Sequence, residues 1–340
     1  MKKQITLATL IAMVSAAGVV HAQDSTDTTT LYGRIGYGFK FDDKRDANNR
    51  KNKTKFDLKE NGIRLGVKGN EGLASGLNAI YQLEFAYNTD TNDGAMTEIR
   101  QAWVGLAGDF GTLKFGKQNN LRDAFFGKTD QFQEVSGTYQ TYKRTAKTVS
   151  YMTSKQFADD YGLQLGFAGI LDGNNGFATP DRVTPTSDSR NFSMGQVGAQ
   201  YTWNGITAAT TYTYVDGDVG NPRGKQESIT GSLSYGDKDD VGLYAAFDYE
   251  HASSRANMYA LLAQYRLDET NTFRLGFEAF DPTTKGQKTV YRTLLGYQYN
   301  FSKRTLAWVE GAYQKNDTSG SRKSFYEAVV GLRHNFPFKK

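Results

Sequence analysis

Residues 63–87 read IRLGVKGNEGLASGLNAIYQLEFAY. Ile63, Leu65 and Val67 lie on one side of the chain, Arg64 and Lys68 on the other. After the short turn EGLASG, Leu77, Ala79, Tyr81, Leu83 and Phe85 oppose Asn78, Gln82 and Glu84. A period of two sustained through both runs predicts two β-strands. Roughly ten residues is the length a tilted strand needs to cross the apolar core of a bilayer.

The pattern extends both ways. Upstream, TTLYGRIGYGFKF (residues 29–41) sets Leu31, Ile35, Tyr37, Phe39 and Phe41 against Tyr32, Arg34 and Lys40. Downstream, strands are expected at 100–106 and 112–116, joined by the GDFG turn, then at 147–154, 161–170, 191–203, 206–215, 227–235 and 241–250. Five more follow at 256–267, 272–280, 289–300, 305–314 and 324–336. The total is about sixteen, and an even number is what a closed bacterial barrel requires. The connections sort by length. EGLASG, GDFG, FADD, Asn204–Gly205, GDKDD, LDET and SKR are short and alternate with longer polar stretches such as 42–55, 88–97, 171–190 and 216–226. A β-sandwich has no reason to sort its loops this way, whereas an outer-membrane barrel has short periplasmic turns and long external loops. Closure is also a physical demand, because each unpaired backbone group in hydrocarbon costs several kcal/mol.

Composition fits the same fold. The 340 residues are only 38% hydrophobic but include 36 Gly, 21 Tyr and 21 Phe against 5 Pro. A transmembrane barrel looks soluble by such averages, since every lipid-facing residue alternates with a polar one. Residues 1–22 have a basic start at Lys2 and Lys3, an apolar run and small residues before Gln23, the form of a secretory signal peptide. The barrel domain is then 23–340. Removing the two lysines of residues 1–22, which contain no acid, takes the formal charge from +5 to +3. That mild, unclustered basicity makes no case for nucleic acid. With no cysteine, a disulfide framework, a thiolate metal site and a cysteine nucleophile are excluded together. Beyond His21, only His251 and His334 remain from which to build a serine triad or histidine metal site. No enzyme, cofactor or metal is expected.

One connection stands apart. Residues Gln118–Lys143 mix acids (Asp123, Asp130, Glu134) with aromatics (Phe125, Phe126, Phe132, Tyr139, Tyr142), which is not the composition of a disordered linker. Unstructured connections of this length are uncommon in compact domains, and an ordered loop with a function is expected.

LYGRIGYGFK, NGIRLGVKGNEGLASGLNAIYQLEF, RQAWVGLAGDFGTLKFGKQ, RTAKTVSYMTSKQF and AVVGLRHNF together resemble the Gram-negative general-diffusion porins, especially the neisserial and β-proteobacterial branch. The resemblance covers nearly the whole chain after residue 22. It implies a 16-stranded antiparallel transmembrane β-barrel, all-β, with an inward-folded constriction loop at Gln118–Lys143. It further implies a homotrimer in outer-membrane lipid and lipopolysaccharide, passing small hydrophilic solutes without energy input. Carried over by position, Arg34, Arg64, Lys68, Arg100 and Arg144 form a basic cluster on the wall, with Lys114 and Lys117 nearby. Asp123, Asp130 and Glu134 are the candidate acids on the loop. Arg34, Arg64 and Lys68 also follow from alternation. Arg100 does not, since Val104 and Leu106 share its parity, so its lumen placement rests on the resemblance. The chain departs from the family where a PEF-like turn is common: Lys155, Gln156 and Phe157 stand at one such place, Phe132, Gln133 and Glu134 at another. The final strand, read by the barrel-assembly machinery, ends at Phe336 or at an offset Phe338.

Opposed charges at a narrow place act on a passing ion through a low-dielectric wall. Bases outnumber acids among the candidates, so weak anion preference is expected, unless Arg64 and Lys68 are ordinary solvated charges of a wide pore. Tyr201, Trp203, Tyr212, Tyr214, Tyr297, Tyr299 and Phe301 lie near strand ends and read as interfacial girdles, which also accounts for them better than a sugar slide. Alternatives are a substrate-selective porin, a barrel serving as adhesin or structural anchor, and a soluble lectin-like sandwich.

Overall fold

The computed structural model describes residues 27–43, 55–90, 96–135, 144–154, 161–171, 177–178, 194–215, 226–253, 256–283, 287–316 and 324–338. The signal-peptide segment, Tyr139, Tyr142, the FADD turn and most of the long connections lie outside them. The first strands are β1 (Thr28–Asp42), β2 (Lys55–Glu60), β3 (Arg64–Gly72), β4 (Asn78–Tyr87), β5 (Met96–Gly108) and β6 (Gly111–Asn119). Next come β7 (Arg144–Met152), β8 (Tyr161–Ile170), β9 (Phe177–Ala178), β10 (Met194–Trp203), β11 (Ile206–Val215) and β12 (Gln226–Tyr235). The last six are β13 (Gly242–Ala252), β14 (Ala256–Arg266), β15 (Asn271–Pro282), β16 (Val290–Asn300), β17 (Thr305–Asn316) and β18 (Ser324–Phe338).

Neighbours in sequence pair antiparallel, and β1 pairs with β18 from Leu31↔Phe338 to Asp42↔Glu327, which closes the sheet. Two of the eighteen segments are continuations. β2 and β3 pair successive parts of β1, and β8 and β9 successive parts of β7. The barrel therefore has sixteen staves. The break between β2 and β3 lies at Asn61–Ile63, where Gly62 has φ +58 and a Cβ would collide with the Arg34 guanidinium. The final stave reaches Phe338, the second of the two expected ends.

Alternation sorts the side chains as the sequence implies. On β1 and β3, Ile35 (49% exposed), Phe39 and Leu65 face outward while Arg34 and Arg64 are only partly exposed on the other side. Outward leucines and valines such as Leu261, Leu275, Leu295, Val309 and Leu332 form an apolar belt that requires a lipid surround. Aromatics edge it near the short turns: Tyr201, Trp203, Tyr299 and Phe301 are exposed, and Tyr297 packs on Phe273 at 5.1 Å. At the opposite end, Phe39 stacks on Phe56 and Tyr313 packs on Tyr326. The Asn204–Gly205 connection has φ of 45° and 77°, the all-positive turn that matches strand twist.

Candidate functional site

The long connection after β6 enters the barrel. Its strand runs to Asn119, and Asn120 then caps a short helix, α1 (Leu121–Phe125), by accepting a hydrogen bond from the Asp123 N–H. Leu121 and Phe125 are buried against Ala209 on the inner wall, with Met152 and Ala168 beside them. Phe132 and Val135 are buried against Tyr244, Ala246, Leu262, Leu294, Ala312 and Val329. The loop thus carries apolar anchors that its polar average conceals, each contributing about 1.5–3 kcal/mol on burial.

Between the anchors, buried wall carboxylates hold the loop. Glu250 takes the Arg122 guanidinium in a two-point ion pair, with Nε to Oε1 at 3.1 Å. Asp248 accepts from the Thr129 N–H at 2.7 Å and from its hydroxyl at 2.6 Å. Glu310 accepts from three successive backbone amides, Gln133, Glu134 and Val135, at 2.6, 2.8 and 3.3 Å. The loop reaches the far wall, where Asn61 donates to the Gln133 carbonyl and the Glu134 carboxylate, and Arg333 to the Gln133 side chain. The segment Phe132–Glu134 is therefore the part of the loop seated on β17 and on the β2–β3 break.

The cationic side chains of the wall stand on β1, β3, β5, β6, β7 and β18. Arg34, Arg64 and Arg100 lie close enough to repel one another, and Arg333 repels Arg34 and Arg64. Arg100 reaches the lumen through a bulge. The β4–β5 register shifts at Glu84/Phe85, so Gln101 pairs with Glu84 and Ile99 with Phe85, leaving Arg100 as the extra residue. Its Nε meets the buried Glu84 carboxylate at 2.6 Å. Arg144 forks onto Glu98 with both contacts at 3.2 Å, and Lys117 joins that carboxylate at 3.5 Å. Arg34 donates to the Gly62 carbonyl, and Arg64 Nε is buried without a hydrogen bond. Lys68 and Lys114 lie over the rings of Tyr32 and Trp103. Among the described residues, Arg34, Arg64, Lys68 and Lys114 have no carboxylate within 4 Å. Glu84 and Glu98, on β4 and β5, are already engaged.

On the loop, Asp123 lies beside Asn119, and Glu134 takes the Asn61 amide rather than an arginine. Asp130 follows the turn after α1, its N–H donating to the Gly127 carbonyl. Glu98, Asp248, Glu250, Glu310 and Arg333 were not singled out from sequence, although Arg333 opposes the outward Leu332 and was open to detection by parity. His251 and His334 lie on separate strands and engage Asn257 and Thr305.

A family model described as Gram-negative porin matches residues 8–319. The chain is 26% identical to an outer membrane porin protein of Bordetella pertussis, covering 96% of this chain and 99% of that one. It is 25% identical to the major outer membrane protein P.IA of Neisseria meningitidis serogroup A, with 84% of each covered. The fold matches the anion-selective porin from Comamonas acidovorans at TM-score 0.71, with 21% identity over 91% of this chain and all of that one. It also matches the trimer form of OmpT from Vibrio cholerae at 0.64, with 15% identity over 92% of this chain and all of that one.

Proposed function

The chain belongs to the Gram-negative porin family and forms a channel across the bacterial outer membrane, and from that premise we propose that it is a homotrimer passing small hydrophilic solutes by passive diffusion, with weak anion preference. Family and fold are those of a channel rather than an enzyme. Arg34, Arg64, Lys68, Arg100, Lys114, Lys117 and Arg144 line one side of the narrowing, and Asp123, Asp130 and Glu134 contribute from the loop. One observation carries the sign of selectivity: Glu84 and Glu98 are consumed in ion pairs while four wall cations have no carboxylate within 4 Å among the described residues. An unpaired cation in a narrow, low-dielectric passage raises the local concentration of anions. The anion-selective Comamonas porin supports the same sign, and the trimer form of OmpT supports the assembly. Lipid and lipopolysaccharide surround the apolar belt, and the last stave, ending at Phe338, is the segment offered to the assembly machinery.

Reversal potentials across a potassium chloride gradient test the reading. Wild type is expected to favour chloride, and Arg64→Glu to shift the potential toward cation preference. Cation preference in the wild type overturns the sign, and an unchanged potential in the variant removes Arg64 from the narrowing.

A further inference from the structure

Two of the wall ammoniums without a carboxylate rest on aromatic faces. Lys68 Nζ lies 5.5 Å from the Tyr32 ring centroid, and Lys114 Nζ lies 4.8 Å from that of Trp103. The register Lys68↔Gln82↔Trp103 sets these residues side by side across β3, β4 and β5. Gln82 donates to the Tyr32 hydroxyl at 2.6 Å, which donates to Glu84 at 2.9 Å, while the Trp103 indole N–H donates to Gln101 at 3.1 Å. Each ring is thus fixed by its polar edge. Both remain partly exposed on the lumen side, nearer the short turns than the Arg34–Arg64 pair.

Arginines alone attract any anion. A ring face held beside an ammonium adds a second criterion, because offset stacking rewards a flat π system and the ammonium rewards a carboxylate. We propose that Trp103, Tyr32, Lys68 and Lys114 form a binding station for small aromatic carboxylates on the periplasmic side of the narrowing. The ring of the solute stacks on Trp103 or Tyr32 and its carboxylate meets the adjacent ammonium. This rests on the anion reading above and narrows it to a solute class.

Benzoate and cyclohexanecarboxylate, which share charge and approximate size, separate π stacking from charge. In single-channel recordings with chloride as carrier, benzoate should block saturably with an apparent Kd about fivefold below that of cyclohexanecarboxylate. Trp103→Leu should abolish that difference, and Trp103→Phe should retain part of it. Lys114→Met should weaken both carboxylates alike. Equal block of the wild type by the two, or a difference that survives Trp103→Leu, overturns the station. Cation preference in the wild-type reversal potential overturns the underlying anion reading instead, so the two failures are distinct.

Discussion

Arg100 and Glu310 mark two different limits of what the alternation rule reveals about a single side chain of this barrel. Arg34, Arg64 and Lys68 were legible because a lumen charge beside a lipid-facing leucine or valine needs no other information. Arg100 has the parity of Val104, which is 57% exposed, and only the one-residue slip at Glu84/Phe85 turns it inward. A bulge leaves no mark in the apolar pattern, so resemblance alone pointed to Arg100 there. Glu310 shares its face with the buried Leu306 and Trp308. That inner face is partly roofed by the loop, a tertiary fact that no local pattern encodes. Removing the acceptor of three loop amides by Glu310→Ala should free the loop tip, since bonds to a charged group contribute about 1.5–3 kcal/mol each. The expected outcome is a larger and noisier single-channel conductance, read in planar bilayers, with the barrel still resistant to detergent.

The inward loop shows how an element can be placed correctly and still be misjudged in character. Its length and mixed composition pointed to an ordered segment. Its polar average hid the spacing of Leu121, Phe125, Phe132 and Val135, which meet separate patches of the wall. Phe125→Ala with Phe132→Ala should cost about 3–5 kcal/mol each of loop attachment. Limited proteolysis should then cut within Gln118–Lys143 while the staves stay intact. The short turns behave differently, because each is fixed locally. In the LDET turn, the Asp268 carboxylate accepts from the Thr270 hydroxyl and the Asn271 side chain, together with their backbone amides. The Thr270 and Asn271 donors hold its carboxyl well below the usual carboxylate range. The folded value is depressed, so the stabilisation is complete above the unfolded value near 4 and is lost only as pH falls through the folded one. Carboxyl chemical shifts of the barrel in micelles should therefore show Asp268 still ionised when the exposed acids have taken up their protons.

At the scale of the whole molecule, inside and outside exchange the usual roles of core and surface. Leu295 is 62% exposed halfway along its stave, yet its neighbour Leu294, 2% exposed, is the one packed against protein. Leu295→Arg should cost about 2–4 kcal/mol of stability in a bilayer, measured by guanidinium titration of the barrel in lipid vesicles. Lys68→Arg, on the lumen side, should cost far less. The join of β1 to β18 brings Leu31 to Phe338, almost the full length of the chain apart. Such a contact carries the heaviest loop-closure entropy among the described strand pairs and cannot form until the last stave has been made and exported. Until then both outermost ribbons present bare amides and carbonyls able to recruit a stranger's strand. The cylinder thus has a single seam, sewn last, and a nascent chain needs an escort from the first stitch to that one.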